Sequence, residues 1–157
     1  MDSNTKLYLE RAENELRLSE IIMQLSVNKE IQIKNFEVGK ADTYFSSVIS
    51  HAYYSIFYAA KAYLTMKGII TKAPEEHKKT YEEFEKLAIS GEIDIELLKI
   101  YKSIVIKADE LLGIFKREKS KRGDFTYQRI SQANLEPAKE SLNNAKTFFK
   151  HIYNLCE

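Results

Sequence analysis

Residues 44–63 read YFSSVISHAYYSIFYAAKAY, and nothing else in the chain limits the fold as tightly. Seven of these twenty residues are aromatic, and most of the others are Ser or Ala. Neither Gly nor Pro interrupts them. Such a segment makes a helix buried over much of its circumference. Small residues stand where neighbouring helices come close, and rings fill the remaining space.

A partner set for that helix is present in the rest of the chain. Residues 5–26 form a helix with Leu9, Ala12, Leu16 and Met23 near one stripe, and Ser3 or Asn4 can cap its start. Residues 27–41 are less regular. Ile31 and Ile33 alternate with polar residues, but a lone strand has nothing to pair with, so a loop or helical turn is expected. Asp42 is a plausible N-cap for the aromatic helix, which runs to about Met66 and stops at Gly68. Pro74 suits the first turn of a third, shorter helix that carries Tyr81, Phe84 and Leu87 and breaks at Ser90-Gly91. A fourth helix, over about 94–116, places Leu97, Tyr101, Ile104, Ala108, Leu111 and Phe115 at spacings of four and three. A last helix, over about 134–155, does the same with Ala138, Leu142, Ala145, Phe149 and Ile152. The polar stretch 116–131 reads as a loop. The expected fold is all-α: an antiparallel up-and-down bundle of four long helices plus one shorter helix, in a single domain over 1–157.

Bulk properties narrow the function. A chain of 157 residues buries a sizeable core without disulfide or metal. Net charge is +1, so any nucleic-acid role must lie in a local patch. The single Cys156 fits a reducing cytoplasm. The first residues contain no apolar run of the signal-peptide kind, and no stretch has the ~20 apolar residues of a membrane span.

Local motifs for chemistry are few. Gly39-Lys40 lacks the Ser or Thr and the earlier Gly of a phosphate loop. The histidines His51, His77 and His151 form no i, i+3 or i+4 pair with one another or with Cys156, so no metal site and no cofactor is expected. Glu75-Glu76 and Glu82-Glu83 are adjacent residues that point apart on a helix. His51 stands mid-helix among Ala and rings, as a core or interface histidine does. Ser47, Ser50 and Ser55 read as small packing residues, although His51 lies four positions from both Ser47 and Ser55.

One polar feature stands apart. Residues 116–122 hold Lys116, Arg117, Lys119, Lys121 and Arg122 against a single Glu118. Such a run can satisfy the last carbonyls of a helix, or it can bind phosphates. Phe125, Tyr127 and Arg129 follow; rings interleaved with Arg can stack on bases, and Phe125 can equally pin a loop to the bundle.

Taken in order, the helix HAYYSIFYAAKAYLTMKG, His77 with Phe84 seven residues on, Gly123-Asp124-Phe125 after a basic helix end, and the final Ala/Leu/Phe-patterned helix resemble the HEPN domain (higher eukaryote and prokaryote nucleotide-binding), in its small stand-alone bacterial and archaeal branch. The resemblance spans about residues 5–155. It implies a helical bundle that forms a homodimer, often with a minimal nucleotidyltransferase as partner in a toxin–antitoxin pair. Active toxins of the family are metal-independent ribonucleases that use Arg, four to six residues, then His. Neither Arg117 nor Arg122 is followed by a His at that distance. The catalytic pair therefore does not carry over, and a ribonuclease would lack its expected acid/base. The expectation is a non-catalytic or weakly active module. It would bind nucleotide or RNA phosphates through Lys119, Lys121, Arg122, Asp124, Tyr127 and Arg129, or hold the nucleotidyltransferase partner. The alternatives are a divergent ribonuclease with Arg122 at the phosphate and Tyr127 or His51 moving the proton, and a purely structural bundle.

Overall fold

A computed structural model of the chain describes residues 1–39, 41–112 and 135–157. Among these residues there are six helices and no strand. They are α1 (Ser3–Val27), α2 (Lys29–Phe36), α3 (Phe45–Met66), α4 (Glu76–Ile89), α5 (Ile95–Leu112) and α6 (Leu135–Cys156).

The aromatic segment is the centre of the molecule, as its composition demands. α3 packs against α1, α4, α5 and α6. Its Ala52, Ala59, Ala60 and Ala62 are buried to the last atom or nearly so, which lets neighbouring backbones approach. Rings fill the wider gaps. Phe84 of α4, Tyr101 of α5 and Phe148 of α6 meet at centroid distances of 5.4–5.8 Å in edge and tilted arrangements. Burying each such side chain contributes about 1.5–3 kcal/mol. A second, smaller cluster joins Met23, Val48, Ile49, Ala138 and Leu142.

Pairs of side chains fix how the helices lie along one another. Tyr8 meets Tyr58, Ser55 Oγ donates to the Ala12 carbonyl at 2.8 Å, and Ser19 Oγ donates to the Val48 carbonyl at 2.8 Å. Lys146 of α6 pairs with Glu20 of α1 at 2.9 Å, and Lys107 of α5 with Glu140 of α6 at 3.4 Å.

The helix ends correct several expectations. α1 is capped by Asp2, not by Ser3 or Asn4; its carboxylate accepts from the Asn4 and Thr5 amides at 2.9 and 3.1 Å. Where a loop or helical turn was expected, residues 29–36 form a helix of about two turns, with Asn28 Oδ1 capping it through the Ile31 amide at 3.1 Å. Asp42 does not cap α3. Its backbone N–H and carbonyl are both bonded to the Gln32 side chain at 2.8 Å, and α3 begins three positions later behind Tyr44. Pro74 lies outside α4, whose N-cap is Glu75 in the left-handed region at φ 58°. The two expected glycine stops are observed. Gly68 at φ 79° and Gly91 at φ 87° end α3 and α4, with Ile69 N bonding Leu64 O and Glu92 N bonding Leu87 O. On α6 the fully buried ring is Phe148, three residues from Ala145, and Phe149 is half-buried. On α5 the expected seam is buried from Leu97 to Ala108; Phe115 lies outside the described residues.

Candidate functional site

α3 carries several polar groups that face its neighbours. Lys61 is the one charged residue of α3, set between Ala60 and Ala62. It is only 6% exposed, so its ammonium must be matched within the protein. The match is an ion pair with Glu76 at the start of α4, and a hydrogen bond to the Thr71 carbonyl at 3.2 Å. The Tyr8 ring lies 4.8 Å from the ammonium and adds a cation–π contact. Thr71 and Thr80 share a hydroxyl bond of 2.7 Å, and Thr80 donates to the Glu76 carbonyl at 2.8 Å. These bonds anchor the 69–76 link beside the lysine.

One turn N-terminal, His77 of α4 lies flat on Phe57, with ring centroids 4.1 Å apart, and its Nδ1 is 2.8 Å from the Tyr53 hydroxyl. Burial, the largest influence, lowers the His77 pKa; Lys61 pushes the same way and Glu76 opposes. The imidazole is therefore neutral near pH 7, and its Nδ1 accepts the phenol hydrogen. Tyr53 is fully buried, and burial pushes its phenol well above its usual range. The phenol is consequently a donor and not a base. Tyr54 is pushed in the same direction by burial.

His51 is the only sequence-derived site candidate within the described residues. It is half-buried, and its Nδ1 lies 2.6 Å from Glu15 Oε2 of α1. A carboxylate accepts, so the Nδ1–H of the imidazole donates to Glu15. That is how a carboxylate orients an imidazole for proton transfer. Glu15 is 36 positions away in sequence, and no local pattern joins the two. The serines behave as packing groups: Ser50 bonds the Ser46 carbonyl on its own helix, and Ser55 bonds α1. His151 is exposed on α6 and bonds the Thr147 carbonyl at 2.8 Å.

Lys119, Lys121, Arg122, Asp124, Tyr127 and Arg129 lie outside the described residues, as does the rest of the basic run. Among the described residues, no group of three or more His, Cys, Asp or Glu comes together in a way that could hold a metal ion. Cys156 is buried, and burial pushes its thiol up to about 11, so it stays protonated at neutral pH. No helix among the described residues is long and apolar enough to cross a membrane.

The pairings Lys61–Glu76, His77–Tyr53 and Glu15–His51 join residues that no sequence motif connects. Lys61 had a signal, as a lone cation in an otherwise uncharged helix. Glu15 had none, because it looks like any polar residue on the solvent side of α1.

Scanning the chain against protein-family models gives no match, and a search of curated proteins gives none either.

Proposed function

We propose that the chain is a HEPN-type binding module, a cytoplasmic homodimer that holds nucleotide or RNA phosphates, a minimal nucleotidyltransferase partner, or both, in a toxin–antitoxin-like or regulatory role. The observation that carries this reading is the basic run 116–122 with Phe125, Tyr127 and Arg129 behind it, and no His at the spacing the family's ribonucleases use. Lys119, Lys121, Arg122 and Arg129 supply the phosphate contacts, with Asp124 and Tyr127 beside them. The helices are taken to run up and down in antiparallel order. The pairs Tyr8–Tyr58 and Ser19–Val48 favour that course for α1 and α3, and Tyr101–Phe148 with Lys107–Glu140 favour it for α5 and α6.

A second reading is a divergent metal-independent ribonuclease. The Glu15–His51 pair favours it, since an imidazole oriented by a carboxylate is a suitable proton carrier. Arg122 would then stabilise charge on the phosphate, with Tyr127 as the other proton carrier.

One experiment separates the two. Pure protein is incubated with end-labelled single-stranded RNA without metal, beside Arg122→Ala and His51→Ala, and the products are resolved on denaturing and native gels. The binding module predicts intact RNA in every lane and a shifted complex that disappears at high salt and in a Lys119→Glu/Lys121→Glu/Arg122→Glu variant. Cleavage lost in both single variants establishes the ribonuclease instead. Absence of both binding and cleavage at low salt rejects the phosphate-binding role.

A further inference from the structure

The chain between α3 and the second half of α4 is held to the bundle by polar bonds. From residue 70 to residue 80 no apolar side chain is buried; Ile70, Ala73 and Pro74 are exposed. The buried apolar anchors of α4, Phe84 and Ala88, come later. Glu75, in the left-handed region at φ 58°, adds a strained residue to the same stretch. A segment with so little apolar burial opens at low cost unless its polar bonds hold it.

Those bonds meet at one place. The Lys61 ammonium of α3 takes the Glu76 carboxylate and the Thr71 carbonyl, and Thr71 and Thr80 share a hydroxyl bond. His77 lies on Phe57 and accepts from Tyr53. Two adjacent residues, Glu76 and His77, thus close over two buried polar groups of α3.

Closure requires a neutral imidazole. An imidazolium has a hydrogen on both nitrogens, so it cannot accept from Tyr53, and the phenol hydrogen loses its acceptor. It also sets a second cation near Lys61. Glu76 attracts the new charge, but it already neutralises Lys61, and one carboxylate does not match two cations. Tyr54 and Phe57, the other rings against His77, offer no charge. Farther out, Tyr58 and Glu15 act on Tyr54, and Tyr101 and Asp109 act on Tyr53. Lys78 and Lys79, next on α4, are exposed and add positive charge.

We propose that residues 69–80 form an acid-released latch: protonation of His77 opens the link and the first turn of α4 as a unit, uncovering Lys61, Tyr53 and Phe57 while the rest of the bundle stays folded. His77 has its pKa lowered by burial in the closed state, so closure is complete above the ordinary histidine value and is lost as pH falls toward the lower one. The latch is independent of the basic run, so the outcome of RNA binding does not bear on it.

Amide hydrogen exchange of the full chain at about pH 7.5 and about pH 5.5, corrected for the intrinsic pH dependence of exchange, tests the latch. The Lys79 amide bonds the Glu75 carbonyl at 2.9 Å, so amides from 79 to 82 report on the first turn. In the wild type their corrected exchange accelerates at least about threefold at the lower pH, while α3 and α6 stay slow. His77→Gln, uncharged at both pH values, removes the acceleration. Glu76→Gln leaves Lys61 without its carboxylate and exchanges fast in this turn already at pH about 7.5. Equal wild-type rates at the two pH values overturn the proposal. So does acceleration that persists in His77→Gln, or that spreads evenly through α3, α5 and α6. The His77 ring signals of the wild type, followed by NMR, titrate over the pH range of the opening; opening without protonation of that ring rejects the latch whether or not the variants fold.

Discussion

His77 makes stability depend on pH in a definite direction. Burial against Phe57, Tyr53 and Tyr54 lowers its pKa below the ordinary 6.5 that it regains in the unfolded chain. As pH falls through that value, the unfolded state takes up the proton first. The stability tied to neutral His77 is therefore complete above the unfolded pKa and is lost as pH drops toward the lower folded value. Urea midpoints measured between about pH 7.5 and 5 should fall for the wild type and fall less for His77→Gln. Equal slopes in the two proteins would dismiss this account. Tyr101 makes the opposite kind of prediction. It is fully buried, and among the described residues its hydroxyl has no hydrogen-bond partner. An unpaired buried hydroxyl is a desolvation cost, so Tyr101→Phe should leave stability unchanged or raise it by about 1 kcal/mol. A loss beyond about 1 kcal/mol by denaturant titration would mean that the hydroxyl is satisfied after all.

Helix α2 shows how an element can form against its own pattern. Its apolar residues Ile31, Ile33 and Phe36 are exposed, and its one buried side chain is Gln32. Gln32 Nε2 donates to the Leu25 and Asp42 carbonyls at 2.7 and 2.8 Å, and its Oε1 accepts from the Asp42 amide at 2.8 Å. One carboxamide thereby ties the end of α1, α2 and the lead-in to α3 together. Eight residues are too few for an isolated helix to persist in water, so α2 depends on this attachment. Gln32→Ala leaves buried backbone groups unpaired and should cost about 1–3 kcal/mol locally. Amide exchange in residues 29–36 should accelerate, while exchange in α3 and α6 stays slow. Uniform acceleration across the molecule would show that α2 unfolds only with the rest. The irregular pattern of 27–41 concealed this helix because a buried Gln is invisible to a hydrophobic period.

The whole molecule separates what one sequence window can carry from what requires several. The all-helical class, the burial of α3, the stops at Gly68 and Gly91, and the buried seam of α5 were legible, because each depends on residues a few positions apart in a single helix. The register of Phe148 over Phe149 was not, since both fit a helical face and packing against Phe84 and Tyr101 chose between them. The loss of the cap at Asp42 likewise followed from a side chain ten positions away. Of the candidate site, the sequence supplied His51 but not its carboxylate, and it supplied the basic run whose residues lie outside those described. Sequence alone determined that the chain is helical and which helix had to be central, because helix periodicity, small-residue content and glycine stops are local properties. Only the tertiary structure decided that Glu15 orients His51, that Glu76 neutralises Lys61, and that His77 accepts from Tyr53. Those pairings join residues 15 to 36 positions apart, and a buried charge or hydroxyl takes whichever partner the packed helices bring within hydrogen-bond reach.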